Sequence, residues 1–413
     1  MYITRHMEQT LAKTEKMFGA IMITGSRQVG KTTLLKKATQ GTSGVTGIPY
    51  VTLDDPILLQ AAVTEAGTFF KNIPPPVFID EIQYAPNLFP YMKMIIDAEK
   101  KKGQFYLSGS QQFVMMKNVT ESLAGRIGIL NLSGLSLRET SGIPFKEPFI
   151  PTESYFQRRR EGSKVIPYHD IWAAIHRGAM PEMYVDKTQD WGTYYGSYVR
   201  TYIERDVREL TQVGDEIKFL KFLTVMAGCT GQLLNLAAAA RDVGISQPTA
   251  ERWLSVLVTS NIVYLLQPWF TNITKRALKT PKLYFLDTGL AAYLTKWSTP
   301  DVLINGAMAG AFFETFIVAE ILKSYYNAGV LDAPLYFYRD KEQNEIDLLI
   351  WQDGVLHPIE IKKNADPHIT DIAAFKQLDK LNDMERGEGC VICLYDKLIP
   401  LHGKDKVVPV TLI

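Results

Sequence analysis

The stretch Gly25-Ser26-Arg27-Gln28-Val29-Gly30-Lys31-Thr32 decides how this 413-residue chain is read. It fits G-x-x-x-x-G-K-[ST], between an apolar run, Ala20 to Thr24, and a helical pattern carrying Leu34 and Leu35. The residue types follow from chemistry. Glycines at 25 and 30 let the backbone turn tightly, so that successive N–H groups and the positive end of the next helix surround phosphate oxygens. Lys31 then reaches the β- and γ-phosphates and the Thr32 hydroxyl holds Mg²⁺, with Ser26, Arg27, Gln28, Val29 and Thr33 completing the cradle. The bland alternative is a glycine-rich turn with no ligand, and both flanks weigh against it.

Outward from this loop, PPPVFIDEIQYAP contains the continuous apolar run Val77-Phe78-Ile79, as a strand buried on both faces of a parallel sheet requires. Such a strand delivers Asp80 and Glu81 to the carboxyl edge, where ligands bind in sheets of this kind. The segment looks like a Walker B motif, in which Asp80 orients the Mg²⁺ shell and Glu81 polarises the attacking water. An acidic helix N-terminus is the competing explanation. The strand Gln104 to Leu107 ends in Ser108-Gly109-Ser110-Gln111, which makes Ser108 and Ser110 candidates for sensing the γ-phosphate. Arg126 follows a helix and precedes a strand. It is read either as a finger acting on a neighbouring subunit's nucleotide or as one half of a surface ion pair. Asp54-Asp55 closes the strand Ile48 to Leu53 and is read as a turn.

The series GSRQVGKTT, VFIDEIQ, YLSGSQQF and SLAGRIGILNLSGLSLRE resembles the prokaryotic AAA-superfamily ATPases whose core is followed by a winged-helix and PD-(D/E)XK nuclease-like C-terminal region. The resemblance continues through AIHRGAMPEMY and TYIERDVREL, with Gly178-Ala179 standing where the group has two glycines. It implies an α/β fold with a P-loop core on a parallel sheet, ATP and Mg²⁺ as cofactors, and a homo-oligomer, a hexamer by superfamily habit. The expected domains are an ATPase core over 1–145, a helical linker over 146–230, a winged helix over 231–300 and a restriction-endonuclease-like domain over 301–413.

Charge and composition limit the remaining classes. Lys+Arg and Asp+Glu balance at 45 to 44, so any basic surface is local. At 46% hydrophobic content the chain can bury several cores. No stretch approaches the roughly 18 uninterrupted apolar residues of a membrane span, the N-terminus has no signal-peptide pattern, and the cytoplasm is the expected location. Cys390 and Cys393, in EGCVICLY, read as part of a buried strand rather than a metal or redox pair, because neighbouring ligands are missing.

Residues 145–168 are rich in Pro and charge and read as a boundary, with Arg158-Arg159-Arg160 as a solvated run and a nucleic-acid contact as the alternative. Trp191 to Leu210 reads as a helix whose Arg200, Glu204, Arg205 and Arg208 pair along its face. LLNLAAAARDVGISQPTAERWLSVLVTSNIVYLL then gives helix, turn and helix, with Ser246 as N-cap, followed by a strand. In a winged helix the second helix presents Gln247, Thr249, Glu251 and Arg252, and the wing carries Lys275, Arg276, Lys279 and Lys282. Duplex or branched DNA is the expected partner of these residues, with a protein contact as the alternative. Last, GAFFETFIVAEILKSYY, NEIDLLIW and HPIEIKK supply Glu314, Asp347, Glu360 and Lys362. Alternation puts Glu360 and Lys362 on one strand face, and a hairpin partner brings Asp347 beside them, a set able to hold a second Mg²⁺ against a phosphodiester. The set resembles the PD-(D/E)XK centre, with Ile346 where a proline usually precedes the aspartate. Cleavage and an inactive binding platform are both compatible with it.

Overall fold

The computed structural model describes residues 2–40, 47–109, 122–160, 166–186, 189–203, 216–270, 279–381 and 384–413. Ser110, Lys275, Arg276, Glu204, Arg205 and Arg208 lie outside the described residues. Two compact units form. One comprises Met1–Leu135 with Thr259–Asn261 and Tyr326–Leu331; the other comprises Ser136–Val258, Ile262–Tyr325 and Asp332–Ile413.

The first unit is a parallel sheet with helices. Its strands are β1 (Ala20–Thr24), β2 (Tyr50–Thr52), β3 (Val77–Asp80), β4 (Phe105–Ser108) and β5 (Ile127–Asn131), in the spatial order β2-β3-β4-β1-β5. All four strand pairs are parallel. β1, β3 and β4 are buried at every position, which is why they read as unbroken apolar runs. Helices α1 (Met7–Thr14), α2 (Lys31–Thr39), α3 (Pro56–Thr64), α4 (Ala66–Asn72) and α5 (Leu88–Glu99) accompany the sheet. Asp55 accepts from Ile57 N and Leu58 N, so this carboxylate caps α3, with Pro56 at the first helical position.

The second unit begins with α6 (Leu137–Thr140), α7 (Glu153–Arg160), α8 (Tyr168–Arg177), α9 (Glu182–Val185) and α10 (Trp191–Tyr198), which widens into a π-type turn over Val199–Ile203. There follow α11 (Glu216–Gly228), β6 (Gln232–Leu233), α12 (Leu236–Val243), α13 (Gln247–Thr259), β7 (Val263–Pro268) and β8 (Lys282–Phe285). Then come α14 (Thr288–Leu294), α15 (Pro300–Ile304) and α16 (Ala309–Asn327). The C-terminal strands are β9 (Leu335–Arg339), β10 (Glu345–Gln352), β11 (Val355–Ile361), β12 (Glu385–Arg386), β13 (Cys390–Cys393), β14 (Ile399–His402) and β15 (Asp405–Pro409). One sheet runs β14-β15-β13-β11-β10-β9-β7-β8-β6, with β12 against β11.

Two expectations change here. The boundary between the two compact units lies at Leu135/Ser136, ahead of the break expected near residue 145, and most of residues 136–413 groups into the second unit. The reason is β7. It pairs antiparallel with β8 and parallel with β9 through Gln267↔Tyr336 and Pro268↔Phe337, so the small sheet and the C-terminal sheet are continuous. The second change concerns the arginine run, which is not uniformly solvated. Arg158 pairs at the surface with Glu147 at 2.8 Å, whereas Arg159 is fully buried and donates to Thr411 O at 2.5 Å. α7 also buries Tyr155 and Phe156, so this Pro- and charge-rich segment is packed structure.

The turn at Gly178-Ala179 is fastened by Asp287, which caps α14 through Leu290 N at 2.7 Å. The same carboxylate accepts from Ala179 N and the Tyr195 hydroxyl, each at 2.8 Å. Gly178 has φ +82°, and a Cβ there would sit 2.1 Å from the Tyr195 hydroxyl, so glycine is required; the next position accepts Ala179. Gly289 is equally confined, because a Cβ would meet Arg177 O at 2.6 Å. Gly289→Ala should therefore cost about 2 kcal/mol or more in denaturant unfolding. Gly310→Ala, at a helical site with nothing within 4 Å of the added Cβ, should instead be neutral or stabilise by up to about 1 kcal/mol.

Candidate active site

The loop between β1 and α2 is built as its sequence requires. Gly25 has φ +136°, and a Cβ there would lie 2.1 Å from Leu132 O. Gly30, at the N-cap of α2, has φ 93° and ψ 26°, the left-handed region, and has no side chain with which to cap the helix. The first-turn N–H groups of α2 are thus presented to an anion. Lys31 is buried, and its ammonium donates to Gly25 O at 2.9 Å and Ser26 O at 2.8 Å, folding back over the loop. From behind, the buried Arg5 donates to Val29 O at 2.8 Å and Ser133 O at 2.7 Å, fixing the loop against the chain that follows β5.

Asp80 lies at the end of β3, and four donors converge on it. Oδ2 accepts from the Thr32 hydroxyl at 2.9 Å and the Tyr50 hydroxyl at 3.1 Å. Oδ1 accepts from Glu81 N at 3.2 Å and, in a very short bond, from the Ser108 hydroxyl. A hydroxyl and a carboxylate oxygen at this separation are the hard oxygen pair that Mg²⁺ prefers, so the residues present fit the ion. Thr32 and Asp80 would hold it, and there it would neutralise charge on the β- and γ-phosphates. Burial pushes the Tyr50 phenol up to about 12, and the Asp80 charge adds to the effect, so Tyr50 stays a donor.

Glu81 has φ 54°, a left-handed backbone conformation immediately after β3. Burial raises its pKa and the Asp80 charge raises it further, while a hydrogen bond from Gln83 Nε2 and the charges of Lys31 and Arg27 oppose the shift. A raised carboxylate pKa suits a residue that accepts a proton from water. Ser108 is buried beside Asp80 and spends its hydroxyl there. Arg126 sits at the amino edge of β5, whereas the loop follows the carboxyl edge of β1, its parallel neighbour. Its guanidinium forks onto Asp97 at 2.6 and 3.0 Å, which is the surface pair.

The second constellation assembles in the other unit, with an added member. The β10–β11 hairpin sets Leu348 opposite Ile359, and Asp347 Oδ2 accepts from Ile361 N at 2.9 Å. Glu360 pairs with Lys362 at 2.6 Å. Lys282, expected as a wing contact to DNA phosphate, is instead buried: its ammonium lies 2.6 Å from Glu345, 3.0 Å from Glu314 and 3.8 Å from Asp347. Every residue of β8 is buried, so a lysine there cannot face solvent. Among the described residues, no group of three or more His, Cys, Asp or Glu side chains is arranged to hold a metal ion. Gln247, Glu251 and Arg252 are exposed on α13, Thr249 is half-buried, and Lys279 is exposed. Gln247 donates to Glu251 at 3.1 Å, and Ser246 caps the helix through Thr249 N at 3.3 Å.

Arg5, Tyr50 and Gln83 went unnoticed in the sequence, and Lys282 was read as facing outward. Gln83 alone left a local signal, two residues beyond Glu81.

Comparison with known proteins agrees with the first site. Residues 18–141 match the model of an AAA domain; residues 168–301 and 309–413 match two domains of unknown function, DUF8612 and DUF4143. Uncharacterized proteins of Mycobacterium bovis and Mycobacterium tuberculosis are each 28% identical over 356 residues, covering 85% of this chain and 71% of theirs. Among solved structures, a Walker-type ATPase of Pyrococcus abyssi is similar at 16% identity and a TM-score of 0.43, covering 70% of this chain and 94% of that one. The matched AAA domain contains the phosphate loop and Asp80-Glu81, which supports an AAA-type ATPase. No described helix is long and apolar enough to cross a membrane.

The Glu81 shift has a direction to test. Its basic form is lost as pH falls through the raised pKa, so the acid limb of turnover should lie above the ordinary carboxylate value of about 4.5. Gln83→Met removes a donor that stabilises the carboxylate, and kcat measured against pH should show that limb moving higher still.

Proposed function

We propose that the protein is a Mg²⁺-dependent ATP hydrolase that works as an oligomer on DNA. The observation that carries the hydrolysis is the 2.9 Å bond from Thr32 to Asp80, which puts the two metal-binding groups together with Glu81 next in sequence. Lys31 exchanges its two loop carbonyls for phosphate oxygens, α2 presents its N–H groups, and Glu81 takes the proton from the attacking water. Lys31→Ala should abolish nucleotide binding, while Glu81→Gln should keep binding and lose phosphate release. Wild-type hydrolysis by Lys31→Ala would refute the assignment.

Oligomerisation is supported by Arg126. Its place at the amino edge of β5 sets it away from the phosphate loop that follows the carboxyl edge of β1, and acting on a neighbouring subunit's nucleotide would require it to leave Asp97. A site shared in this way predicts complementation. Glu81→Gln and Arg126→Ala should each be inactive, and a mixture should regain activity through sites that combine an intact Glu81 with an intact Arg126. A mixture as inactive as its components would remove the finger.

For DNA, the support is the order α11, β6, α12, α13, β7, β8, with β8 between β6 and β7, which is compatible with a winged helix. α13 occupies the recognition position and exposes Gln247 and Arg252, with Lys279 exposed ahead of β8. A panel of duplex, single-stranded and branched DNA should include at least one form that stimulates ATP hydrolysis, with an effect that weakens as salt rises. No stimulation and no gel shift, with hydrolysis intact, would favour a nucleotide-gated protein-binding module, a reading that Glu251 on the same helix face also fits.

A further inference from the structure

The carboxylate centre of the second unit departs from what a metal-dependent phosphodiesterase needs. Glu314 on α16, Glu345 and Asp347 on β10, and Glu360 on β11 face one another, and a divalent cation would have to lie between them. The Lys282 ammonium, whose side chain is 4% exposed, lies against three of the four, Glu314, Glu345 and Asp347. Its protons are directed to Glu345 and Glu314, and Asp347 lies within ion-pair range. The remaining acceptors are largely spent. Glu314 Oε1 also accepts from the Tyr284 hydroxyl at 2.6 Å, Asp347 Oδ2 from Ile361 N, and Glu345 Oε2 faces Arg339 at 3.2 Å. Glu360 Oε1 is taken by Lys362, and its other oxygen is buried without a hydrogen-bond partner, a single donor where a divalent ion needs several.

We infer that Lys282 is a resident monovalent cation standing in for the divalent metal of this centre, so that the centre neither takes up Mg²⁺ or Mn²⁺ nor cuts nucleic acid, and instead ties β8 to α16 and β10. An ammonium has one charge and three directed protons. It can balance a buried carboxylate set, but it cannot lower the pKa of a water as a divalent ion does. Its covalent tether to β8 also gives it a local concentration that no free ion matches.

The test is a Mn²⁺ titration of the full chain without nucleotide, read by electron paramagnetic resonance. Wild type and Asp347→Asn should bind the same number of ions, since the phosphate loop is common to both. Lys282→Met should bind one more, lost again in the Lys282→Met/Asp347→Asn double variant, and should unfold about 10 °C or more below wild type without metal, because its carboxylates are then unbalanced. Plasmid DNA incubated with Mg²⁺ or Mn²⁺ should stay intact with wild type. The inference fails if wild type binds one ion more than Asp347→Asn, if wild type nicks plasmid and Asp347→Asn does not, or if folded Lys282→Met gains no ion. The comparison of wild type with Asp347→Asn decides the matter even where Lys282→Met does not fold.

Discussion

The Asp80 carboxylate is the constraint on which the nucleotide site depends. Its donors come from four separate elements: Thr32 from α2, Tyr50 from β2, Ser108 from β4 and Glu81 from the turn after β3. In the sheet order, β4 stands between β3 and β1, so the loop and the acidic strand are not neighbours. The Thr32 hydroxyl therefore reaches past a whole strand to meet Asp80. That reach is possible because α2 starts immediately at Gly30, whose left-handed backbone turns the chain at the carboxyl edge. A Cβ at position 25 would drive the loop off Leu132 and move Thr32 with it, so the site depends on the glycine there.

Much of this core was legible because its signals are local. Strands buried on both faces must be apolar at every position, and Val77 to Ile79 obeys that rule, so its end and the residues it presents could be located from the sequence. Loop glycines and Lys31 act within eight residues of one another. Arg5 and Tyr50 are different. Arg5 meets carbonyls 24 and 128 positions away, and Tyr50 meets a carboxylate 30 positions away; nothing near either residue announces the partner. The second unit was harder for a related reason. Composition marks 145–168 as a linker, yet Tyr155, Phe156 and Arg159 are buried there. Joining β7 to β9 costs only two residue pairs in parallel register, and no hydropathy pattern records it.

Lysine burial shows how the same residue type serves two ends. Lys31 and Lys282 are both almost wholly out of water, and a lone ammonium in that position costs several kcal/mol unless it is satisfied. Lys31 gives two of its hydrogen bonds to neutral carbonyls of its own loop, weak partners compared with a triphosphate. Lys282 faces three carboxylates on α16 and β10, and no neutral or singly charged ligand offers it more. An ammonium whose hydrogen bonds go to neutral oxygens gains when an anion arrives, and one already surrounded by anions does not. The first is placed for exchange and the second for permanence. On this criterion the Lys31 site is the one built to bind and release a charged ligand, and the Lys282 cluster is built to hold β8, β10 and α16 in fixed register.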